Sequence, residues 1–388
     1  MTLEFVSRSA FVLLVMGVLG ACSELAYYGQ ATRGHWEIVN SGQPIDELIV
    51  SETTSTELRA RLKLSDELRR FAVSVLGLPD NDSYRSYVDL DRPYAVWSVF
   101  SAPELSLSAK TWCYPVVGCL SYRGYFDLTE ARALAASLRE EGQEVWIGGV
   151  PAYSSLGWSN DPLLSTFIRW PDGRLAELIF HELAHQEIYL SGDTAFNEAF
   201  ATAVGQQGAE RWLKSRGDVA ALAAYRRLRA RRLSFMTLTG RYRDDLGAIY
   251  TCDLGDHAKR RLKAAVLKRL AVEYDVWKTE EGGFSGFDPV IELGPNNAWF
   301  SAMATYHKWV PAFESLLRES GGDFSEFYQR VRRLAAKPAS ERDRRLEAMG
   351  RTAFPSLGDE LLNACPVQPC ACDPCSDVAA RGPADSGA

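Results

Sequence analysis

The sequence predicts a mainly helical α+β fold, and three observations support this prediction. First, the 388 residues are 46% apolar and 24% charged, a composition typical of a globular chain that can bury a large core. Second, residues 175 to about 346 carry apolar side chains at helical spacing, with breaks near Gly192, Gly217, the Gly240 region and residues 282–297. Third, the strand-like segments are few, and they lie before this helical half.

The first half of the chain alternates helical and strand patterns. Apolar spacing predicts helices over Thr53–Leu76 and Thr129–Glu141. Aromatic and β-branched residues predict strands over Tyr94–Phe100 and Glu144–Val150. Pro151 follows the second strand and suits the edge of a sheet better than its centre, so we expect an edge strand there.

The N-terminal segment has the pattern of an export signal. Arg8 precedes an apolar run of about a dozen residues, which is too short to span a bilayer, so residues 1–21 are predicted to be a signal peptide. The run ends in the letters LGAC, which resemble the lipobox of bacterial lipoproteins. That resemblance implies cleavage before Cys22 and acyl chains on that residue, enough for stable membrane anchoring. The residue after this cysteine is Ser23 and not Asp, which favours location on the periplasmic face of the outer membrane. The alternative is an ordinary secretory signal with an incidental cysteine.

The charge balance disfavours one class of partner. Forty-three Lys and Arg against fifty Asp and Glu give a net charge of −7, so we expect no nucleic-acid partner. The basic run Arg226–Arg232 is either a patch for a partner or a lipid headgroup, or a solvated helix face neutralised by acidic neighbours. The second interpretation is favoured.

Cysteine use follows from the expected export to an oxidising compartment. Cys113 and Cys119 enclose a turn-rich loop, which predicts a disulfide between them. Residues 364–388 hold four clustered cysteines and almost nothing to bury, so we expect a disordered tail. The predicted organisation is a signal peptide over 1–21, one domain over 22–363 and this tail.

The sequence His181-Glu182-Leu-Ala-His185 carries the strongest chemical signal. Residues four apart lie on one face of a helix, so both imidazoles can bind the same ion. Glu182 adjoins the first of them, where its carboxylate can take a proton from an activated water. The pattern therefore predicts one Zn²⁺ held by His181 and His185, with Glu182 as the general base. A chance match to so short a pattern is the alternative.

Glu198 is the predicted third metal ligand. Ser191-Gly192 ends the first helix, and Asp193 or Thr194 can cap the next one. Two helices joined by so short a turn run roughly antiparallel, so Glu198 returns toward the histidines. Three protein ligands with a fourth position open are typical of a catalytic zinc. The alternative is that Glu198 binds no metal and only stabilises the N-terminus of its helix through the helix dipole.

The remaining catalytic groups are less well determined by the sequence. The candidate donors to a tetrahedral oxyanion are Tyr153, Tyr250, Tyr306 and His307. Tyr306 ranks first among them, with a plain core tyrosine as its alternative. Asp161 and Glu187 are the candidate carboxylates for a substrate's α-ammonium, and nothing in the sequence selects between them.

Three long segments then resemble the bacterial predicted aminopeptidase family: Trp112–Phe126, Ala152–Phe167 and His181–Ala201. The similarity runs from about Tyr27 to Arg344. It implies an exported zinc metallopeptidase, with zinc at His181, His185 and Glu198 and with Glu182 as base. The chain departs from better-known gluzincins at Thr202, where thermolysin-like enzymes carry an Asp that supports a zinc histidine.

Together these features predict a zincin-like (gluzincin) catalytic unit, tethered through Cys22, that hydrolyses peptide substrates, with aminopeptidase action as the first hypothesis. One rival is a zinc endopeptidase or amidase acting on envelope proteins or peptidoglycan. The other is a non-enzymatic envelope lipoprotein whose metal joins two helices.

Overall fold

A computed structural model describes residues 24–114, 118–155 and 158–353, and within these it gives no side-chain placement for 305–307 and 351–353. The predicted signal peptide, Cys22 and the cysteine-rich tail lie outside these residues. In the described part, the fold is mainly helical with small sheets, which confirms the predicted α+β class. None of the described helices combines the length and the apolar character that crossing a membrane requires.

The elements follow one another in a strand-poor first half and a helical second half. The helices are α1 (24–40), α2 (Ile45–Val50), α3 (Thr56–Leu76), α4 (Leu128–Glu140), α5 (Ser165–Ile168), α6 (Asp172–Glu187), α7 (Thr194–Ser215), α8 (Val219–Thr251), α9 (Asp256–Glu280), α10 (Asp288–Leu293), α11 (Asn297–His307), α12 (Val310–Glu319), α13 (Phe324–Ala335) and α14 (Ala339–Ala353). The strands are β1 (Gln43–Pro44), β2 (Ser86–Val88), β3 (Val96–Pro103), β4 (Trp112–Tyr114), β5 (Gly118–Leu120), β6 (Arg123–Tyr125), β7 (Gln143–Val150) and β8 (Leu163–Leu164).

The principal sheet has the order β6-β3-β7 and is antiparallel throughout. β3 and β7 pair along their full lengths, from Val96 opposite Val150 to Pro103 opposite Gln143. β7 therefore lies at an edge of this sheet, as Pro151 predicted. A smaller sheet has the order β1-β2-β8, and β4 pairs with β5 as a hairpin. Cys113 and Cys119 are opposite each other in this hairpin and form a disulfide.

The chain divides into two compact units. The first unit runs to Ser234 and resumes from Asn296 to Ala353, and large side chains fill its core. Its largest fully buried groups include Trp212, Phe180, Phe200, Phe313 and Phe327. The second unit begins at Phe235 and extends to Pro295, where an aromatic cluster of Phe235, Tyr274, Trp277 and Phe287 packs together.

Two predicted helix boundaries need correction. The break near Gly240 is wrong, because α8 continues from Val219 to Thr251 and the chain breaks between α8 and α9 instead. A glycine within a helix costs only about 1 kcal/mol relative to alanine, and the long helical pattern around it outweighs that cost. The first predicted helix begins at Thr56 rather than Thr53, because the Ser55 side chain caps it by accepting a hydrogen bond from the Leu58 amide.

Three of the five arginines in the basic run on α8 pair with acidic neighbours, in agreement with the favoured interpretation. Arg226 pairs with Glu210 at 2.5 Å, and Arg232 pairs with Glu177 at 3.3 Å. Arg229 forms ion pairs with Glu210 and with Glu314. These arginines tie α8 to α6, α7 and α12 within the first unit.

Candidate metal centre

The centre is built on the antiparallel pair of helices α6 and α7. The turn between them is held by Asn197, whose side-chain oxygen accepts a hydrogen bond from the Leu190 amide at 2.8 Å. The Asn197 side-chain amide also donates to the Leu190 carbonyl at 2.8 Å. Asp193 caps α7 by accepting from the Phe196 amide, as one of the two predicted caps. Asn197 therefore orients the chain, and Glu198 follows it on the first turn of α7.

Gly205 allows the two helices to approach closely. A Cβ added there would lie 2.5 Å from the Glu177 carbonyl oxygen and 3.2 Å from the His181 Cβ, and both of those atoms belong to α6. Because contacts below 3.0 Å require the backbone to move, only glycine fits at this helix crossing. The close approach places α7 beside the histidine-bearing turn of α6.

The three predicted ligands meet at one point. The His181 Nε2 and His185 Nε2 atoms are 3.1 Å apart. Glu198 Oε2 lies 3.4 Å from His181 Nε2 and 3.7 Å from His185 Nε2. The three side chains are between 7 and 18% exposed, so the cluster is largely buried but open to solvent.

This triangle fits a tetrahedral zinc ion. With metal–ligand bonds of about 2.0–2.1 Å, tetrahedral geometry keeps the ligand atoms about 3.3 Å apart. The measured separations of 3.1, 3.4 and 3.7 Å lie on either side of that value. Two imidazole nitrogens and one carboxylate oxygen are also the ligand types that Zn²⁺ prefers. The residues present therefore fit the predicted metal.

Electrostatics favours an ionised glutamate in this cluster. Burial alone would raise the pKa of the Glu198 carboxyl, but the His185 and His181 imidazoles outweigh burial and hold that pKa well below its usual range. Burial alone would lower the pKa of His181, but the carboxylates of Glu198 and Glu182 outweigh it and raise that pKa. Glu198 is thus a carboxylate at neutral pH, which is the form that binds a metal.

The outer nitrogens of the two histidines have different surroundings. His181 Nδ1 lies 3.5 Å from the Thr202 hydroxyl. Thr202 therefore occupies the supporting position that the sequence left without an Asp. His185 Nδ1 is buried and has no hydrogen-bond partner among the residues that the structure describes. Such outer contacts orient metal-binding histidines, so this centre is supported mainly by packing and by Thr202.

Glu182 lies beside the cluster on α6, and it is 9% exposed. Gln186, one turn further along α6, is on the same face of the helix. Its side-chain amide donates to the Ser83 hydroxyl at 3.2 Å, and its oxygen accepts from the Asn81 side chain. The loop before β2 is thereby fixed along the face of α6 that carries Glu182.

Two tyrosines near Glu182 were missed by the sequence analysis. Burial and the nearby carboxylates of Glu198 and Glu182 raise the pKa of Tyr122. Burial and the Glu182 carboxylate raise the pKa of Tyr84 well above its usual value. Tyr122 lies in the family-like segment Trp112–Phe126, which was the available signal, whereas no local pattern marks Tyr84. The favoured donor, Tyr306, is on α11, but its side chain is outside the described residues.

The β4–β5 hairpin, which the Cys113–Cys119 disulfide closes, lies against the turn between α6 and α7. A Cβ at Gly118 would be 2.6 Å from the Gly192 amide nitrogen and 3.0 Å from the Ser191 hydroxyl. Gly118 also has a φ of +80°, which glycine adopts most easily. The hairpin is followed directly by Tyr122, which packs on Phe100 of β3. The hairpin therefore brings this tyrosine to the site.

Neither candidate for binding an ammonium group is a free carboxylate. Asp161 is fully buried and accepts hydrogen bonds from the Ser155 amide at 2.9 Å and from the Ser154 hydroxyl at 3.3 Å. Glu187 is paired with Arg332 of α13. The geometry of these residues therefore does not identify an exopeptidase subsite.

Comparison with known families adds one decisive match. The profile of the family described as "Putative aminopeptidase" matches residues 26–346, which include the ligand cluster and Glu182. The chain belongs to this family. The match confirms the family predicted from the sequence and its extent along the chain, and it supports a peptidase activity in coarse terms. No curated protein and no solved structure matches this aminopeptidase-family chain.

Proposed function

We propose that the protein is a zinc-dependent peptidase with its active centre at His181, His185 and Glu198. The observation that carries this proposal is the triangle of ligand atoms, with sides of 3.1, 3.4 and 3.7 Å, directly beside Glu182. Its partial exposure leaves room for a substrate group, which favours catalysis over a metal that only joins two helices.

The zinc-binding residues and Glu182 have separate roles in the proposed amide hydrolysis. Zinc, when bound, polarises the scissile carbonyl and makes water a stronger nucleophile at neutral pH. The Glu182 carboxylate removes a proton from the attacking water and then delivers it to the leaving amine. The close packing of α6 against α7 at Gly205 holds the ligands and this base in fixed relation.

A zincin-like (gluzincin) fold is part of the proposal. Its support is the His-Glu-x-x-His helix followed by a glutamate on the next helix, together with an antiparallel sheet whose edge strand is β7. An exposed strand edge can bind an extended peptide through its backbone groups. Asn296 occupies part of this edge, because its side chain donates to the Val145 carbonyl at 3.2 Å.

Aminopeptidase specificity rests on the family description alone. Asp161 and Glu187 are both engaged with partners, so no acidic wall for an α-ammonium supports it independently. A zinc endopeptidase or amidase of the cell envelope uses the same metal centre and base. Peptides with free and with blocked N-termini distinguish an aminopeptidase from an endopeptidase.

The test is turnover by the wild-type protein and by Glu182→Gln on matched peptides with free and with blocked N-termini. The substitution keeps the size of the side chain and the three ligands but removes the base, so kcat should fall by orders of magnitude while bound zinc remains. Cleavage of only the free peptides supports an aminopeptidase, and cleavage of the blocked peptides supports an endopeptidase. Equal turnover by the two proteins would contradict the role of Glu182.

We also propose that the protein is exported and held on the periplasmic face of the outer membrane by acyl chains on Cys22. Helix α1 supports this proposal, because its residue Glu24 lies only two positions after Cys22 in the sequence. One face of α1 is fixed to the protein: Gln30 bonds to Gly124 and Phe126, and Ile38 is fully buried. The opposite side of α1 exposes three large apolar side chains.

That exposed face has the composition of a surface that contacts lipid. Leu25 is 73% exposed, Tyr28 42% and Trp36 68%, and their spacing places them along one side of α1. Tyr and Trp favour the boundary between lipid and water because each has an apolar ring and a polar group. Acyl chains on Cys22 would bring this side of α1 to the membrane surface.

A further inference from the structure

Tyr84 has an unusual backbone conformation. Its φ is +61°, and no other non-glycine residue in the described chain has a positive φ. A bulky aromatic residue is disfavoured there by contact between its Cβ and the backbone. The conformation is held by the Tyr84 amide, which donates to the Asp161 carbonyl at 2.6 Å. Strain of this kind persists where the surrounding structure fixes it, and it is concentrated at functional sites.

The Tyr84 hydroxyl is an unused hydrogen-bonding group. The residue is 2% exposed, and its hydroxyl has no hydrogen-bond partner among the described residues. Buried hydroxyls are normally paired, because a lost hydrogen bond to water is otherwise not replaced. Tyr84 therefore combines a strained backbone with a buried hydroxyl that has no acceptor among the described residues.

The location of Tyr84 relates it to the base. The preceding residue, Ser83, accepts a hydrogen bond from Gln186, which is one helical turn from Glu182 on the same face of α6. Glu182 is also the carboxylate with the strongest electrostatic effect on Tyr84, ahead of Asp161. The loop that carries Tyr84 is thus held against α6, and Glu182 is near enough to act on the tyrosine electrostatically.

The same surroundings keep the hydroxyl protonated. Burial raises the pKa of Tyr84, and the carboxylates of Glu182 and Asp161 raise it further. At neutral pH, Tyr84 is therefore a neutral group that can donate a hydrogen bond. The Asp161 carboxylate accepts from Ser154 and Ser155 and not from Tyr84, so the described residues give this donor no acceptor.

We propose that Tyr84 is a catalytic residue whose hydroxyl donates a hydrogen bond to the scissile carbonyl oxygen of the substrate. This role rests on the proposed peptidase function. The carbonyl oxygen gains negative charge as water attacks, so a donor already in place stabilises the transition state more than the bound substrate. A carbonyl oxygen in this position would also give the buried hydroxyl the partner that it lacks.

The test compares Tyr84→Phe with Tyr328→Phe in the full-length protein. Tyr328 is a buried tyrosine of α13 whose hydroxyl donates to the Leu76 carbonyl at 2.9 Å. For Tyr84→Phe we expect kcat to fall about 10²- to 10³-fold with little change in KM, and Tm to stay the same or rise, because no protein hydrogen bond is lost. For Tyr328→Phe we expect a lower Tm and an unchanged kcat.

Three results would overturn this role. An unchanged kcat in Tyr84→Phe would exclude a hydrogen bond to the transition state. A fall in Tm together with loss of bound zinc would show that Tyr84 has a structural role. A large fall in kcat for Tyr122→Phe with none for Tyr84→Phe would assign the donor to Tyr122. Absence of turnover in the wild-type protein is distinguishable from these, because it contradicts the peptidase function itself.

Discussion

The side chain of Asn197 binds both backbone groups of Leu190, each at 2.8 Å, and so fixes the turn between the two metal-site helices. Asn197 is 2% exposed and precedes Glu198, the predicted third ligand. A side chain that donates and accepts at once is matched by asparagine and not by aspartate, which only accepts when it is ionised. The turn, and with it the position of Glu198, depends on this amide.

Replacing Asn197 should therefore weaken the metal centre. Asn197→Asp keeps the shape of the side chain but leaves the Leu190 carbonyl without its donor and adds a buried charge near Glu198. We expect a loss of about 1–3 kcal/mol in the free energy of unfolding and weaker zinc binding. Chemical denaturation and a competitive zinc titration measure the two effects. Unchanged zinc affinity would show that Glu198 is positioned without this turn.

Helix contact at Gly205 gives a second prediction with a matched control. Gly205→Ala places a Cβ 2.5 Å from the Glu177 carbonyl oxygen, so the helices must separate. We expect a loss of about 1–3 kcal/mol in stability, and reduced zinc binding. Gly240→Ala, inside α8, meets nothing within 4 Å and should instead gain up to about 1 kcal/mol from helix propensity. Thermal unfolding of both variants tests the contrast, and a stable Gly205→Ala would contradict the packing argument.

The same glycines explain why the sequence analysis located some features and missed others. Helical spacing is a local signal, so it located α6 and α7 and predicted that a short turn would bring Glu198 back to His181. Gly240 has the same local appearance as a helix break, yet its neighbours keep α8 continuous. A glycine's effect depends on what surrounds it in three dimensions, which the sequence does not display.

Asp161 gives a prediction about pH. Burial raises its pKa to about 6 despite the hydrogen bonds from Ser155 and Ser154, whereas an aspartate in an unfolded chain has a pKa of about 3.9. A raised carboxyl pKa means that the folded state holds the proton more tightly. This effect on stability is therefore absent below about pH 4; as the pH rises from 4 to about 6 it destabilises the folded state progressively, by about 3 kcal/mol in all.

Asp161→Asn removes this titration while its side-chain oxygen can still accept from the Ser155 amide. We expect the variant to gain about 3 kcal/mol over the wild type between pH 4 and pH 7. Urea unfolding at a series of pH values measures the difference. A difference that does not change with pH would show that Asp161 is ionised at little cost in the folded protein.

The apolar side of α1 gives a prediction about the membrane. In the lipidated full-length protein on vesicles that contain brominated phospholipids, Trp36 should be quenched. Trp36→Phe should therefore lower the fraction of tryptophan fluorescence that the bromines quench. Trp158→Phe is the matched control, since Trp158 is 77% exposed and lies outside α1. Equal quenching in the wild type and Trp36→Phe would contradict contact between this side and lipid.

The positions of Tyr84 and Tyr122 near Glu182 were not predicted from the sequence. The predicted metal ligands have a fixed spacing on adjacent helices, and that spacing was sufficient to predict that their side chains come together. The two tyrosines come from separate loops, which long-range contacts hold against α6 and the turn that follows it: Ser83 with Gln186, and Gly118 with Gly192. Such contacts depend on the whole fold and leave no periodic pattern in the chain.

The central claim is a zinc ion bound by His181, His185 and Glu198, and the most direct test is the zinc content of the purified protein. Elemental analysis would compare the wild type with Glu182→Gln, which keeps the ligands, and with Glu198→Ala, which loses one. The account predicts one zinc per chain in the wild type and in Glu182→Gln, and a large loss in Glu198→Ala. Wild-type protein without zinc, or equal zinc in all three proteins, would contradict it.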